Sequence, residues 1–335
     1  MQNRISVLDS FRGIAAAAVM LFHYTAFYSD HIMVLNLPDF LKFHYGQYGV
    51  HLFFMISGFV IFMTVSKVSS PATFLYKRFI RLYPTYWISL SITALFILVF
   101  PFKLYSFSFN QLLGNLTMFQ GLMGISNIDG SYWSLLPELL FYLMMVVLIM
   151  FKLERRIGLL CYIWIVCMLL NLLRPSVLEV LMNLRFGVFF MAGIMFYKIF
   201  KSESGIHHHF IILITNALVF LIFKDVETNL VFAFLILVFY LFVYGKLNFF
   251  HHKVLSFLGA ISYPLYLIHQ TIGIILIYWL IKIGLNTYIA IFSAIFVALL
   301  LGTALYYRFE RPVLTYLGTK LRTKSSTVNS WLPLA

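Results

Sequence analysis

The sequence predicts an all-α, polytopic transmembrane helix bundle of about ten spans, on three observations. Of 335 residues, 62% are hydrophobic and only 10% charged, whereas an ordinary soluble domain is roughly 45–50% apolar with glycine included. Apolar runs near the length of about 20 residues that a spanning helix needs recur along the whole chain. The basic residues, finally, sit between those runs, where cytoplasmic loops carry them. With 37 Phe, 21 Tyr and 5 Trp, a water-soluble globule would have to bury nearly everything it has. Disordered, collagenous and disulfide-framed proteins are excluded, and a soluble enzyme nearly so. The net charge of +13 would suggest nucleic acid in a soluble protein. No separate basic domain is present here, and nucleic acid is not an expected partner.

In order, the spans are expected at 7–28, 48–66, 84–101, 133–151, 158–173, 184–200, 209–223, 229–244, 256–281 and 287–307. The first is a retained span, because it lacks an A-x-A-like cleavage site and carries informative polar residues. Residues 103–132 are too polar to span, although Leu112 to Met123 can dip into the interface. Cys161 and Cys167 share one apolar segment and read as packing residues. A membrane domain over 1–312 is followed by a short basic tail, 313–335, with no room for a second folded domain. With the N-terminus inside, the inner connectors hold about three quarters of the 24 Lys and Arg, which orients both termini to the cytoplasm.

An ionisable side chain at the bilayer centre costs at least ~2.5–3.5 kcal/mol on insertion scales, so such groups need partners or a polar cavity. The first span carries Asp9, Arg12 and His23. Asp9 and Arg12 have the spacing of a local ion pair. Arg12 and His23 lie near three helical turns apart, about 16 Å along one face. Two readings stand: a capped helix end with a core histidine, or a face that lines a polar cavity.

Several stretches carry a resemblance. Leu8-Asp9-Ser10-Phe11-Arg12-Gly13 with His23, Gly49-Val50-His51-Leu52-Phe53-Phe54-Met55-Ile56-Ser57-Gly58-Phe59, and Arg78-Phe79-Ile80-Arg81-Leu82-Tyr83-Pro84 come first. Tyr132-Trp133-Ser134-Leu135-Leu136-Pro137-Glu138, Ile261-Ser262-Tyr263-Pro264-Leu265-Tyr266-Leu267-Ile268-His269 and Phe309-Glu310-Arg311-Pro312 follow. In this order they resemble the motifs of the acyltransferase 3 family of bacterial membrane acyltransferases over almost the whole chain. One departure is Leu139, where the family has a second glutamate after the one that Glu138 matches.

The resemblance implies transfer of an acyl group, commonly acetyl, from cytoplasmic acyl-CoA to a sugar hydroxyl across the bacterial inner membrane. Such chemistry asks for a base, an oxyanion stabiliser and a site for an anionic nucleotide. His23 suits the base, because imidazole titrates near neutrality and can take a hydroxyl proton; a covalent acyl carrier is the other role open to it. Glu138 either orients His23, holds the acceptor, or is simply a helix-terminal carboxylate. Arg12 suits the CoA arm or an oxyanion. Lys77, Arg78 and Arg81 suit the CoA phosphates, with ordinary positive-inside placement as the competing explanation.

His51 and Ser57 line the second span, and Ser57 is counted among the donor-binding residues; Ser57-Gly58 also permits close helix approach. His269 stands as either structural or catalytic. Glu310 and Arg311 are expected to pair with each other at the inner face. His207, His208 and His209 point in different directions on a helix, and no metal is expected. The reading is thus an integral membrane O-acetyltransferase that uses acetyl-CoA, membrane lipid and a lipopolysaccharide, exopolysaccharide or lipid-linked sugar acceptor. A transporter or flippase for an anionic or lipid-linked sugar is the alternative.

Overall fold

The computed structural model describes residues 2–68, 70–203, 205–250 and 252–324. Among the described residues the ordered elements are helices, apart from one isolated bridge between Phe102 and Tyr105. Ten of them are α1 (Gln2–Phe22), α2 (Gly49–Val65), α3 (Pro71–Val99), α4 (Leu135–Met150), α5 (Ile157–Leu173), α6 (Gly187–Phe200), α7 (Ile206–Phe223), α8 (Val226–Val243), α9 (Lys253–Lys282) and α10 (Thr287–Leu305). A further helix, α11 (Arg311–Lys324), covers the start of the expected tail. Residues 325–335 of that tail lie outside the described residues. Nine described segments are long and apolar enough to cross a membrane. The protein is therefore a multi-pass membrane protein.

Two expected spans differ from the observed helices. The third begins at Pro71 rather than residue 84 and runs through Pro84, so Lys77, Arg78 and Arg81 lie on the helix and not in a connector before it. Proline is well suited to a first helical turn, and an internal proline is tolerated in a membrane helix whose neighbours re-satisfy the freed carbonyl. The sixth span, expected at 184–200, is only the 14 residues of α6. A helix that short does not match a hydrocarbon layer of about 30 Å. Val188 to Ala192 and Ile194 to Phe196 are wholly buried, so α6 meets protein instead of lipid and its length is free of that constraint.

The chain divides into two units. The first comprises Met1–Ala15, Tyr45–Leu75 and Trp133–Ser256. Its centre is the crossing of α2 and α6. A Cβ on Gly58 would stand 2.1 Å from the carbonyl oxygen of Phe190, and one on Gly193 would stand 2.1 Å from that of Met55. Two glycines in opposition bring the backbones together as small residues do in membrane helix pairs. Phe190 then stacks on Phe141, and Phe189 on His51 at 4.2 Å between centroids.

The second unit comprises Ala16–His44, Tyr76–Tyr132 and Phe257–Ala335. Its helix α10 has the reverse of a soluble helix's polarity. Ala290, Ala294 and Ala298 are buried, while Phe292, Phe296 and Leu300 are exposed. Small residues inside and large apolar ones outside fit a helix that packs on protein and faces lipid. The polar stretch after α3 is a compact insert with a short helix, Phe109–Asn115. The orphan carbonyls at its end are met by donors from α3: Tyr86 Oη to Asn115 O at 2.6 Å, Trp87 Nε1 to Leu116 O at 2.9 Å and Tyr83 Oη to Thr117 O at 2.8 Å. Terminal carbonyls need such partners wherever water does not reach them.

Because the α2–α6 crossing leaves no room for a methyl group at residue 58, Gly58→Ala is expected to destabilise the protein by about 1–3 kcal/mol through overpacking. Gly158 on α5 has open space at its Cβ, so Gly158→Ala is expected to be neutral or stabilising by up to about 1 kcal/mol. Thermal denaturation of the two variants in detergent distinguishes them; equal melting temperatures would refute the close crossing.

Candidate functional site

The α-helical register of α1 gives way at His23 to a π turn, His23–Phe27, followed by Tyr28–His31. Such turns widen the hydrogen-bond register by one residue and recur at functional sites. His23 heads this turn. Its Nδ1 lies 2.9 Å from the carbonyl oxygen of Val19 and 3.0 Å from Nε2 of His269. His269, on α9 and buried, has its Nδ1 2.8 Å from Tyr266 O.

These contacts determine where the protons sit. A carbonyl oxygen only accepts, so Nδ1 of His269 carries a proton and, in the neutral ring, its Nε2 is the acceptor. His23 Nδ1 faces two acceptors and must donate to both. The Nε2 of a neutral His23 is then left with a lone pair. The chain of donors runs one way, from His23 through His269 to the backbone.

Three contacts hold α9 at this point. Tyr24, wholly buried, donates its hydroxyl to His269 O at 2.7 Å. A Cβ at Gly273 would stand 2.1 Å from that hydroxyl, so only glycine lets the ring lie across α9. Asp129, also fully buried, accepts from Ser131 N at 2.8 Å, Ser131 Oγ at 2.6 Å and Thr271 N at 3.0 Å. Tyr266 Oη donates to Ser131 O at 3.0 Å. The Asp129–Ser131 loop therefore grips the stretch of α9 that presents His269. Sequence reasoning did not single out Asp129, Ser131 or Tyr24. An Asp two residues before a Ser signals a local turn, but nothing in the sequence points to Thr271.

In the first unit, Ser57 on α2 donates to Glu138 Oε1 at 3.2 Å, and Tyr142, one turn further along α4, donates to the same oxygen. Glu138 is half-buried in the first turn of α4, where the helix dipole also favours a carboxylate. Leu139, in place of the family's second acid, is buried. Ser57 and Glu138 are thus brought together. His51 instead packs flat on Phe189.

The basic candidates separate. Arg12 pairs with Asp9 at 3.3 Å, as their spacing predicts. Lys77 and Arg78 are half-buried on α3. Arg81 forms an ion pair with Glu310, which is 1% exposed and ends a second π turn, Tyr306–Glu310. This corrects the expected pairing of Glu310 with Arg311. Adjacent residues on a helix diverge, and Arg311 lies over the ring of Tyr307 at 5.9 Å. Of the three histidines, His208 caps Gly205 through Nδ1, and His209 meets Tyr240 Oη at 2.9 Å.

The helices and these polar clusters define a multi-pass membrane protein with intramembrane histidine and carboxylate groups, each held by specific partners. Residues 5–308 match the acyltransferase domain that defines the acyltransferase 3 family, and the chain belongs to that family. Nodulation protein 10 of Rhizobium leguminosarum bv. viciae is 29% identical over 113 residues, covering 28% of this chain and 31% of that protein. The chain thus spans less than a third of this relative's length. No solved structure matches it.

Removing Arg81 would take an ion-pair partner from a buried carboxylate. Arg81→Ala is expected to destabilise the protein by about 3–5 kcal/mol, and a joint Arg81→Met, Glu310→Leu exchange to recover most of that loss. Melting temperatures of both variants in detergent test this; a double variant no more stable than the single one would show that the pair is not the source of the effect.

Proposed function

We propose that this acyltransferase moves an acyl group, and specifically acetyl, from cytoplasmic acyl-CoA to a hydroxyl of a cell-surface or exported polysaccharide or its lipid-linked precursor. It would act in the bacterial inner (plasma) membrane with both termini cytoplasmic. The observation that carries the reading is the proton register of the two histidines, in which His23 Nε2 is an acceptor. A general base needs a free lone pair before the hydroxyl arrives.

In the proposed reaction, His23 Nε2 takes the acceptor's hydroxyl proton as its oxygen bonds to the thioester carbonyl carbon. The C–S bond then breaks and the departing sulfur takes the proton from His23, giving free CoA thiol and the sugar ester. His269 is assigned as a positioning residue, because it accepts from His23 Nδ1 and so fixes the tautomer. Arg12 is assigned to the CoA arm or the oxyanion, since a fixed cation stabilises negative charge that develops during reaction. Lys77, Arg78 and Arg81 are assigned to the donor's phosphates, which guanidinium groups bind in bidentate fashion. In the first unit, Ser57 and Glu138 offer hydroxyl and carboxylate contacts of the type that sugars and the donor's polar arm engage. Family membership favours acyl transfer over transport without chemistry.

The test is purified full-length protein with labelled acetyl-CoA and a polysaccharide acceptor, read as free thiol and labelled product. Loss of a general base typically removes a factor of about 10²–10⁴, so His23→Ala is expected to lose at least about 100-fold while its melting temperature persists. Unchanged turnover would exclude His23 as the base.

The supporting contacts give a separate expectation. Asp129→Asn and His269→Ala should lower kcat by about 10- to 100-fold with the donor KM within about twofold, because misplacement by about 1 Å is enough for such losses. A shifted pH profile in His269→Ala would mark it as acting through His23, whereas folded variants with unchanged kcat and profile would reduce both residues to packing.

A further inference from the structure

A cavity of about 430 Å³ opens in the first unit, and its lining shares no residue with the clusters described above. Its wall includes buried Phe62 and exposed Ser66 at the end of α2 and buried Tyr197 on α6. Ser66 Oγ and Tyr197 Oη lie 2.9 Å apart, and the Phe62 and Tyr197 rings meet edge to face. Around them are four cations, Lys67, Arg155, Lys198 and Lys201, and two carboxylates, Glu154 and Glu203. Lys198 pairs with Glu203, and that bond holds the Glu203 carboxyl below its usual range. Among the described residues, no carboxylate stands within ion-pair distance of Lys67, Arg155 or Lys201.

Lysines at helix ends are ordinarily spread into water, where they repel one another weakly. Here Lys67 is partly removed from solvent and faces Lys201, and both effects press its ammonium below the usual lysine range. A concave wall that concentrates one sign of charge attracts a counter-ion. Four cations against two carboxylates leave two formal charges to neutralise, the charge of a phosphate monoester. Three lysines and an arginine, with two hydroxyl groups, outnumber the two carboxylates of the wall and supply donors suited to phosphate oxygens. The volume lies within the range of small-molecule sites, roughly 300–1,000 Å³, and exceeds what one phosphate fills, so the ligand has a body beyond its phosphate.

We infer that this cavity at the ends of α2 and α6 is a binding site for a phosphate ester, formed by Lys67, Arg155 and Lys201 with Ser66 and Tyr197. The inference does not depend on the acyl-transfer chemistry proposed above. Two sources present this chemistry: the headgroup of an anionic phospholipid, which basic pockets between membrane helices bind, and a soluble phosphate ester.

The experiment compares full-length wild type with the Lys67→Ala, Lys201→Ala double variant and with Arg155→Ala, whose side chain is exposed and whose loss leaves the helices intact. Pyrophosphate binding in a zwitterionic detergent, by calorimetry, probes the soluble source. Lipid retention measured by native mass spectrometry, from nanodiscs of phosphatidylcholine with or without phosphatidylglycerol, probes the headgroup. One of the two probes is expected to bind wild type at least 10-fold more tightly than either variant, with affinity that falls as salt rises, and that probe identifies the source. As a readout free of any variant, the bound probe should raise the wild-type melting temperature where chloride at equal ionic strength does not. Equal binding of both probes to wild type and variants, or no stabilisation by either probe, would overturn the site.

Discussion

In hydrocarbon, a charge or hydrogen-bonding group without a partner is more expensive than almost any packing defect. Glu310 is almost wholly buried and meets Arg81 from α3. Asp129 is wholly buried and accepts two backbone N–H groups and one hydroxyl. The histidine chain ends on a backbone carbonyl. Each contact ties together chain segments that apolar packing alone would leave free to slide, since side chains are as well solvated by lipid tails as by one another. Polar satisfaction sets the register of the helices, and the candidate site is made of the groups that do it.

The two π turns show how local backbone serves this end. An α-helix offers few irregular places at which a polar side chain can be re-aimed. In the second unit, His23 begins one π turn and Glu310 ends the other. The extra residue of such a turn shifts the helical phase of whatever follows. With His23 the ring bonds within its own helix, to Val19, and across to α9 as well. The same irregularity thus anchors the imidazole at two points while Nε2 remains unengaged by either.

What the sequence made legible follows from range. Most of the spans, the Asp9–Arg12 pair and the close approach at Gly58 are properties of one helix or of a small residue within it, and they stand as read. The pairing of Glu310 was misread because Arg311 is adjacent in sequence, whereas the true partner is 229 positions away. Asp129 was not singled out because its target, Thr271, is 142 positions away. The start of α3 was set too late because the polar residues 77–81 do not look like a span. Their helix is nonetheless one piece from Pro71. His269 stood open between structural and catalytic roles, a question that only its distance to His23 could address.

That distance also bears on the choice between chemistry and passage. A cavity that binds an anion by charge alone gains from imidazoles that are protonated and point into it. Here the two rings are joined nitrogen to nitrogen at 3.0 Å, and only one proton fits between them. Both rings cannot be fully protonated in this geometry, because each would then present N–H to the other. The arrangement suits a pair that holds one lone pair in a fixed place and exchanges one proton. Under the function proposed above, that is what a base needs in order to take a hydroxyl proton and return it to a leaving thiolate.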